Sequence, residues 1–407
     1  MEIILNNFKI CFINKYILKF NKHNDNIWKF LCESKILNSK EIINEYIHFF
    51  KDDIKCWRKL CLYRSLNSIE LINEYIEYFK YDIKCWRYLC ESGSLNSIKI
   101  IDEYIKYFKD DISLRRCCWH NLCRSGSLKS TEGLIINKYL EYIKDNIECW
   151  RSLCLNRSLN STELVDKYFE YIKNDEICWR NLCMSGLLNS KEKIDKYLEY
   201  IKYDIECWIN LCINGSINYT ESLINEYIHF FKDNELCWRW LCRNGSLNSK
   251  EGLIINEYFE YIENDIECWR YLCCSGTLNS KEKINKYLEY IQYDEDCWEN
   301  LCRSGILNSK EMINEYLEYI QDNIQCWRFL CLSGKLNSKE IIDEYIHFFK
   351  DDECSWRFLC YSKSLKSKEI IDEYLPFLKD HIECWINLYK NIERINYTYN
   401  QYLINIF

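Results

Sequence analysis

Apolar and polar residues alternate with a helical period in short, separate bursts. In IKCWRKLCL, Trp57, Leu60 and Cys61 follow the i, i+3, i+4 spacing of one buried helix face, and Ile54 lies one turn earlier on it. After a Ser-Gly or similar turn a second stripe begins, as in Ile284, Tyr287, Leu288 and Ile291. The spacing predicts two helices of about 11 to 13 residues joined by a tight turn, each marginal by itself in water. Neighbours must therefore hold such a pair folded.

The burst recurs along almost the whole chain. Its ruler is Trp28, Trp57, Trp86, Trp119, Trp150, Trp179, Trp208, Trp238, Trp269, Trp298, Trp327, Trp356 and Trp385. Most intervals are equal, and the longer ones carry local insertions such as ISLRRCC (112–118), TEGLIIN (131–137) and KEGLIIN (250–256). A fixed period of this kind is the mark of stacked repeats, which makes ordinary domain counting the wrong tool for 407 residues. The expected fold is an all-α solenoid, right- or left-handed, of about thirteen helix-turn-helix repeats of roughly 29–33 residues. Residues 28–388 form the array, with an N-terminal capping segment at 1–27 and a C-terminal capping helix at 389–407.

Local signals place the helix ends. Asp53, Asp82, Asp204 and Asp265 precede the Trp-bearing helix as N-caps. Gly93, Gly126, Gly186, Gly276, Gly305 and Gly334 stand where a left-handed C-cap is needed, whereas Lys35, Arg64, Arg157 and Lys363 hold that place elsewhere and predict strained turns. Before the second helix, Asn279 and Glu282 have capping-box spacing, with Ser280 as the alternative cap.

Composition sharpens the picture. The chain is 48% hydrophobic and 29% charged, enough to bury a core rather than remain disordered. It contains no Ala, although Ala is the best helix former. That omission points to an AT-rich genome. The 27 cysteines would suggest disulfides in a short secreted chain, but MEIILNNFKICFINKYILKF has neither the apolar region nor the cleavage site of a signal peptide. No apolar run approaches the roughly 20 residues of a membrane span. A cytoplasmic protein with reduced thiols and no membrane association is expected.

The order of capping Asp, Trp-bearing helix, Gly turn, second helix and next Asp resembles an α-solenoid unit. Its short period is similar to HEAT-like repeats of the phycobilisome-lyase type. Tetratricopeptide units are longer and place their Trp differently. A weaker likeness is to the prenyltransferase α-subunit repeat, whose Trp-x-x-Arg-like signature differs from Trp57-Arg58 here. The likeness spans about residues 14–400 and is one of architecture. It implies binding of other macromolecules, and no catalytic residue follows from it.

Each residue type that could carry chemistry also has a packing role open to it. Cysteines just before Trp and four after it, such as Cys56 and Cys61, lie about 140° apart on one helix and cannot clamp one zinc ion together. They read as small apolar residues in place of the absent Ala. The tryptophans read as core. Trp240, two residues past Trp238, is the exception and the best candidate for an exposed aromatic contact. The position two after the repeat Trp varies, holding Lys59, Tyr88, Asn121, Ser152, Trp240, Tyr271, Asn300 and Phe329, as a reading surface on a constant scaffold would.

Arg follows the repeat Trp at Arg58, Arg151, Arg270 and elsewhere, while Glu141, Glu170, Glu199, Glu260 and Glu289 form a second ladder. These read either as solvated or neighbour-paired faces, or as an acidic stripe for a basic partner. There is no Walker loop, dinucleotide fingerprint, HExxH or nucleophile elbow. The expectation is a non-enzyme without cofactor or metal that binds a protein or peptide through Trp240, Tyr88, Tyr271, Phe329 and the Glu row. The alternatives are a helical-repeat nucleic-acid binder, which a net charge of -8 opposes, and a repeat subunit of a prenyltransferase-like complex.

Overall fold

The computed structural model describes residues 25–108, 112–129, 133–217, 221–247, 253–362, 364–365, 368–378, 381, 383–385 and 387–388. The capping segments expected at 1–27 and 389–407 lie almost wholly outside them. The described residues are helical with tight turns and contain no strand. The chain forms two compact units, residues 1–214 and 215–407, and each is an α-solenoid of the repeated hairpin.

Within each unit the Trp-bearing first helix packs on the first helices of the repeats before and after it. Ile54–Leu62 lies between Asp25–Glu33 and Ile83–Glu91 in one unit, and Ile266–Cys274 between Glu235–Arg243 and Glu295–Arg303 in the other. First helices approach one another far more closely than second helices do among the described residues. The reason is the cysteine pair. The thiol four after Trp meets the thiol just before the next Trp, as in Cys61 with Cys85, Cys154 with Cys178 and Cys273 with Cys297. Small side chains facing each other let the two backbones come close. Where the later residue is Ser355, its hydroxyl takes the thiol's place beside Cys331 and donates to Asp352 at 2.6 Å.

The indole locks the hairpin together. Trp57 is fully buried, stacks on Tyr78 at 5.0 Å and 5°, and tilts against Tyr75 of its own second helix and Phe50 of the preceding one. Its Nε1–H donates to the Lys51 carbonyl at 2.9 Å, closing the end of the previous repeat. The same bond recurs at Trp86, Trp150, Trp179, Trp238 and Trp327. Trp119 breaks the rule: the ISLRRCC insertion extends its helix to Ile112–Arg124, and its Nε1 is buried without a partner. An orphaned buried donor costs about 1–3 kcal/mol.

The helices differ in detail from the expectation. First helices are mostly nine residues long, and Ile83, at the place of Ile54, is 52% exposed, so this position lies at the edge of the buried face. Many second helices bend at the repeat Tyr: Thr162–Lys167 is followed by Phe169–Ile172, with Tyr168 at φ -109°, ψ 15°. Lys191–Ile201 carries the same pattern unbroken. The cap of the second helix is Ser, not Asn: Ser280 accepts from the Lys283 amide, as Ser39, Ser68 and Ser309 do in their repeats. Ser280 sits at the extended residue, φ -146° and ψ 160°, that flanks the first helical turn.

Turns ending the first helices are left-handed. Gly276 has φ +75°, and Lys35, Arg64 and Arg157 adopt φ of 60–63° in the same place, while Lys363 lies outside the described residues. A cation near a helix C-terminus offsets part of that strain. Arg64→Gly is expected to raise stability by about 0.5–1 kcal/mol in urea unfolding, because Gly enters this region without a Cβ penalty. An unchanged or lower midpoint would count against strain at Arg64.

Candidate partner-binding face

Most polar side chains that recur with the period are used within the array. The Arg after Trp reaches the residue that caps the next first helix. Arg270 donates from Nε to Asp294 Oδ1 at 3.1 Å and from Nη2 to Oδ2 at 2.8 Å, while Asp294 also accepts from the Cys297 amide. Arg58–Asp82, Arg151–Asp175, Arg180–Asp204, Arg239–Asp265 and Arg328–Asp352 repeat the pair, and Lys29 stands 3.9 Å from Asp53. Six arginines of the ladder are therefore spent on register, while Arg357 reaches Glu383, two residues past His381 at the next cap position.

The sequence carries this code. Wherever Lys or Arg follows Trp in these steps, the next cap is Asp. Where His120, Ile209 or Glu299 follows it, the next cap is Asn146, Asn234 or Asn323. Asn323 donates to Glu299 at 3.1 Å, the bond that an amide can make to a carboxylate and an Asp could not.

Burial alone would raise the Asp294 carboxyl, but Arg270 and the Cys297 amide outweigh it and hold it below the usual carboxylate range; Asp82, Asp175 and Asp352 are lowered likewise. A lowered folded pKa stabilises above the unfolded value, about 3.9, and that contribution disappears as pH falls through the folded value. The thermal midpoint should thus stay level from about pH 8 to 5 and drop below about pH 4. A midpoint that rose on acidification would contradict these pairs.

A second ladder joins second helices. Tyr75, Tyr168 and Tyr316 donate to Asn44, Asn137 and Asn285 of the preceding repeat at 2.9, 2.6 and 2.9 Å. The Glu ladder is exposed but partly neutralised, since Glu141, Glu170 and Glu199 pair with Lys144, Lys173 and Lys202 at 2.8, 2.7 and 2.8 Å. Glu260 and Glu289 lack that lysine, the matching positions being Glu263 and Gln292, and Glu260 instead hydrogen-bonds Tyr261.

The variable face divides in two. Asn121, Asn181, Asn210 and Asn300 donate to the carbonyls of Arg87, Arg151, Arg180 and Arg270 in the preceding repeat, at 3.4, 2.9, 3.2 and 3.2 Å. These are packing residues. The aromatic occupants of the same position are half-buried with one side outward. Arg243 lies over Trp240 at 4.7 Å and over Tyr271 of the next repeat at 5.5 Å, and Arg303 lies over Phe329 at 4.6 Å. The structure thus brings Trp240 and Tyr271 together, gives Phe329 its own guanidinium, and leaves Tyr88 in the other unit. The Glu row belongs to the second helices, apart from these aromatics.

Burial and thiol–thiol contact act on several of these cysteines. Contact with the Cys61 thiol and burial push Cys85 far up, and burial and Cys118 do the same for Cys90. Only Cys117 and Cys274 are exposed among the described cysteines, with Cys354 half-exposed. Mapped alkylation of the native protein should modify these three first and the paired thiols only on unfolding. Fast labelling of Cys85 or Cys297 would overturn that burial.

Among the described residues no group of three or more His, Cys, Asp or Glu side chains is placed to hold a metal ion, and no helix is long and apolar enough to cross a membrane. What the fold and this face define is a helical-repeat solenoid. No protein-family model, curated protein or solved structure matches the chain.

Proposed function

We propose that this chain is a non-catalytic repeat scaffold that binds another protein or peptide through the outward face of its first helices. One observation carries the reading. Among the periodic side chains of the first helices, the aromatics two residues past the repeat Trp, with the arginines laid on them, make no inter-repeat hydrogen bond or ion pair among the described residues, unlike the Asn side chains at the same position. Aromatic residues and Arg are the types that anchor protein interfaces. A constant stack that varies only on one face suits recognition of an extended partner.

The test is site-specific photo-crosslinking in cells, with the photoreactive residue at position 271 or, as a control, at position 289 on a second helix. The expected outcome is one crosslinked polypeptide at 271 that disappears when Trp240→Ala and Phe329→Ala are added while the circular dichroism stays unchanged. Crosslinks to RNA at 271, or crosslinks indifferent to both substitutions, would sink the reading.

A further inference from the structure

We infer that the face built by Trp240, Arg243, Tyr271, Arg303 and Phe329 receives an acidic, extended peptide segment; this rests on the scaffold reading above and names its partner chemistry. The argument begins with the two arginines. The arginines that follow the repeat Trp, such as Arg239 and Arg270, are held by carboxylates, whereas Arg243 and Arg303 are exposed and have no ion pair among the described residues. Both instead lie over aromatic rings. A guanidinium stacked on an aromatic face keeps its N–H edge directed outward, prepared for bidentate bonds to a carboxylate. The chain as a whole carries a charge of -8, and Arg243 and Arg303 are two cations of one face that no carboxylate pairs among the described residues.

Spacing sets the shape of the occupant. Glu235–Arg243 packs on Ile266–Cys274, which packs on Glu295–Arg303, so Arg243 and Arg303 stand two repeats apart. At roughly 8–10 Å between packed helices that is about 16–20 Å. An extended chain rising about 3.3 Å per residue bridges it in five or six residues. Tyr271 lies between the two, where an apolar side chain of the segment would rest. Single-stranded nucleic acid fits less well, because two free cations give little counterion release. A basic segment would meet both arginines head-on.

Cys274 supplies a reporter, because it is exposed and lies one turn after Tyr271 on the same helix face. The experiment uses the full chain and three fluorescein-labelled probes: a twelve-residue peptide with two Glu pairs six residues apart and Leu between them, the same peptide with Lys for Glu, and a twelve-nucleotide oligouridylate. Binding is read by fluorescence anisotropy, and Cys274 alkylation is followed in parallel by mass spectrometry. The acidic peptide is expected to bind and to slow Cys274 alkylation at least fivefold. Arg243→Ala with Arg303→Ala should weaken binding at least tenfold, and Arg243→Lys with Arg303→Lys should recover only part of it, with the thermal midpoint unchanged throughout. Binding of the basic peptide alone would overturn the acidic partner, and photo-crosslinking at position 271 would then decide whether the first-helix face binds a protein at all. Binding of oligouridylate alone would overturn both. No binding by any probe, or acidic-peptide binding indifferent to the arginine substitutions, would overturn the inference, while photo-crosslinking at position 271 judges the scaffold reading separately.

Discussion

Trp269→Ala is expected to destabilise the protein by about 3–5 kcal/mol, the range for removing a buried Trp from a core. Trp269 is 1% exposed and its ring touches three places in the chain: it stacks on Tyr290 at 4.9 Å, tilts against Tyr287 at 5.4 Å and meets the edge of Phe259 from the preceding second helix at 6.2 Å. Its Nε1–H also closes the Glu263 carbonyl at 3.1 Å, which the substitution leaves without that donor. In a stack where each repeat contacts only its neighbours, such a loss is felt locally before it is felt globally. Urea unfolding followed by circular dichroism should therefore split into two phases, the earlier one reporting the repeats around Trp269. A single transition shifted by under 1 kcal/mol would mean that the indole is not what couples the hairpin.

Asp294→Ala should cost about 2–3 kcal/mol, because one carboxylate does two tasks. It caps the helix Glu295–Arg303, a role worth about 1 kcal/mol, and it accepts two charge-assisted hydrogen bonds from the partly buried Arg270, which keeps only the more exposed Glu267 and Asp296 once it is removed. The neighbouring step offers the reciprocal experiment. Asn323→Asp sets a second carboxylate against Glu299 and should destabilise by about 1 kcal/mol, as should Glu299→Arg, which takes away the acceptor of the Asn323 amide. Together the two substitutions recreate the Arg–Asp pair of the adjacent steps, so the double variant should recover at least the parental stability. A coupling energy of about 1–3 kcal/mol in the double-mutant cycle is the expected result. Additive losses would mean that the alternation of Asp and Asn caps has no energetic basis.

Both predictions concern residues whose presence is plain in the sequence and whose partners are not. Periodicity alone identifies Trp57, Leu60 and Cys61 as one buried face, places the turns at Gly276 and Arg64, and divides the chain into hairpins that need neighbours; each inference uses residues a few positions apart, whose geometry the helix itself dictates. The choice of Ser280 over Asn279 as cap turns on a one-residue shift of the helix start, which spacing cannot resolve. Contacts between residues 24 to 35 apart depend on the rise and rotation from one repeat to the next, a property of packed side chains rather than of any helix. Only the tertiary structure could therefore decide that Arg270 reaches Asp294, that Asn300 is spent on the Arg270 carbonyl while Tyr271 stays outward, and that the cysteines stand thiol to thiol. The repeat and its buried stripe were determined by the sequence itself, through local helix geometry. Which polar residues remain free to meet a partner was decided by the stacking, because stacking consumes the others.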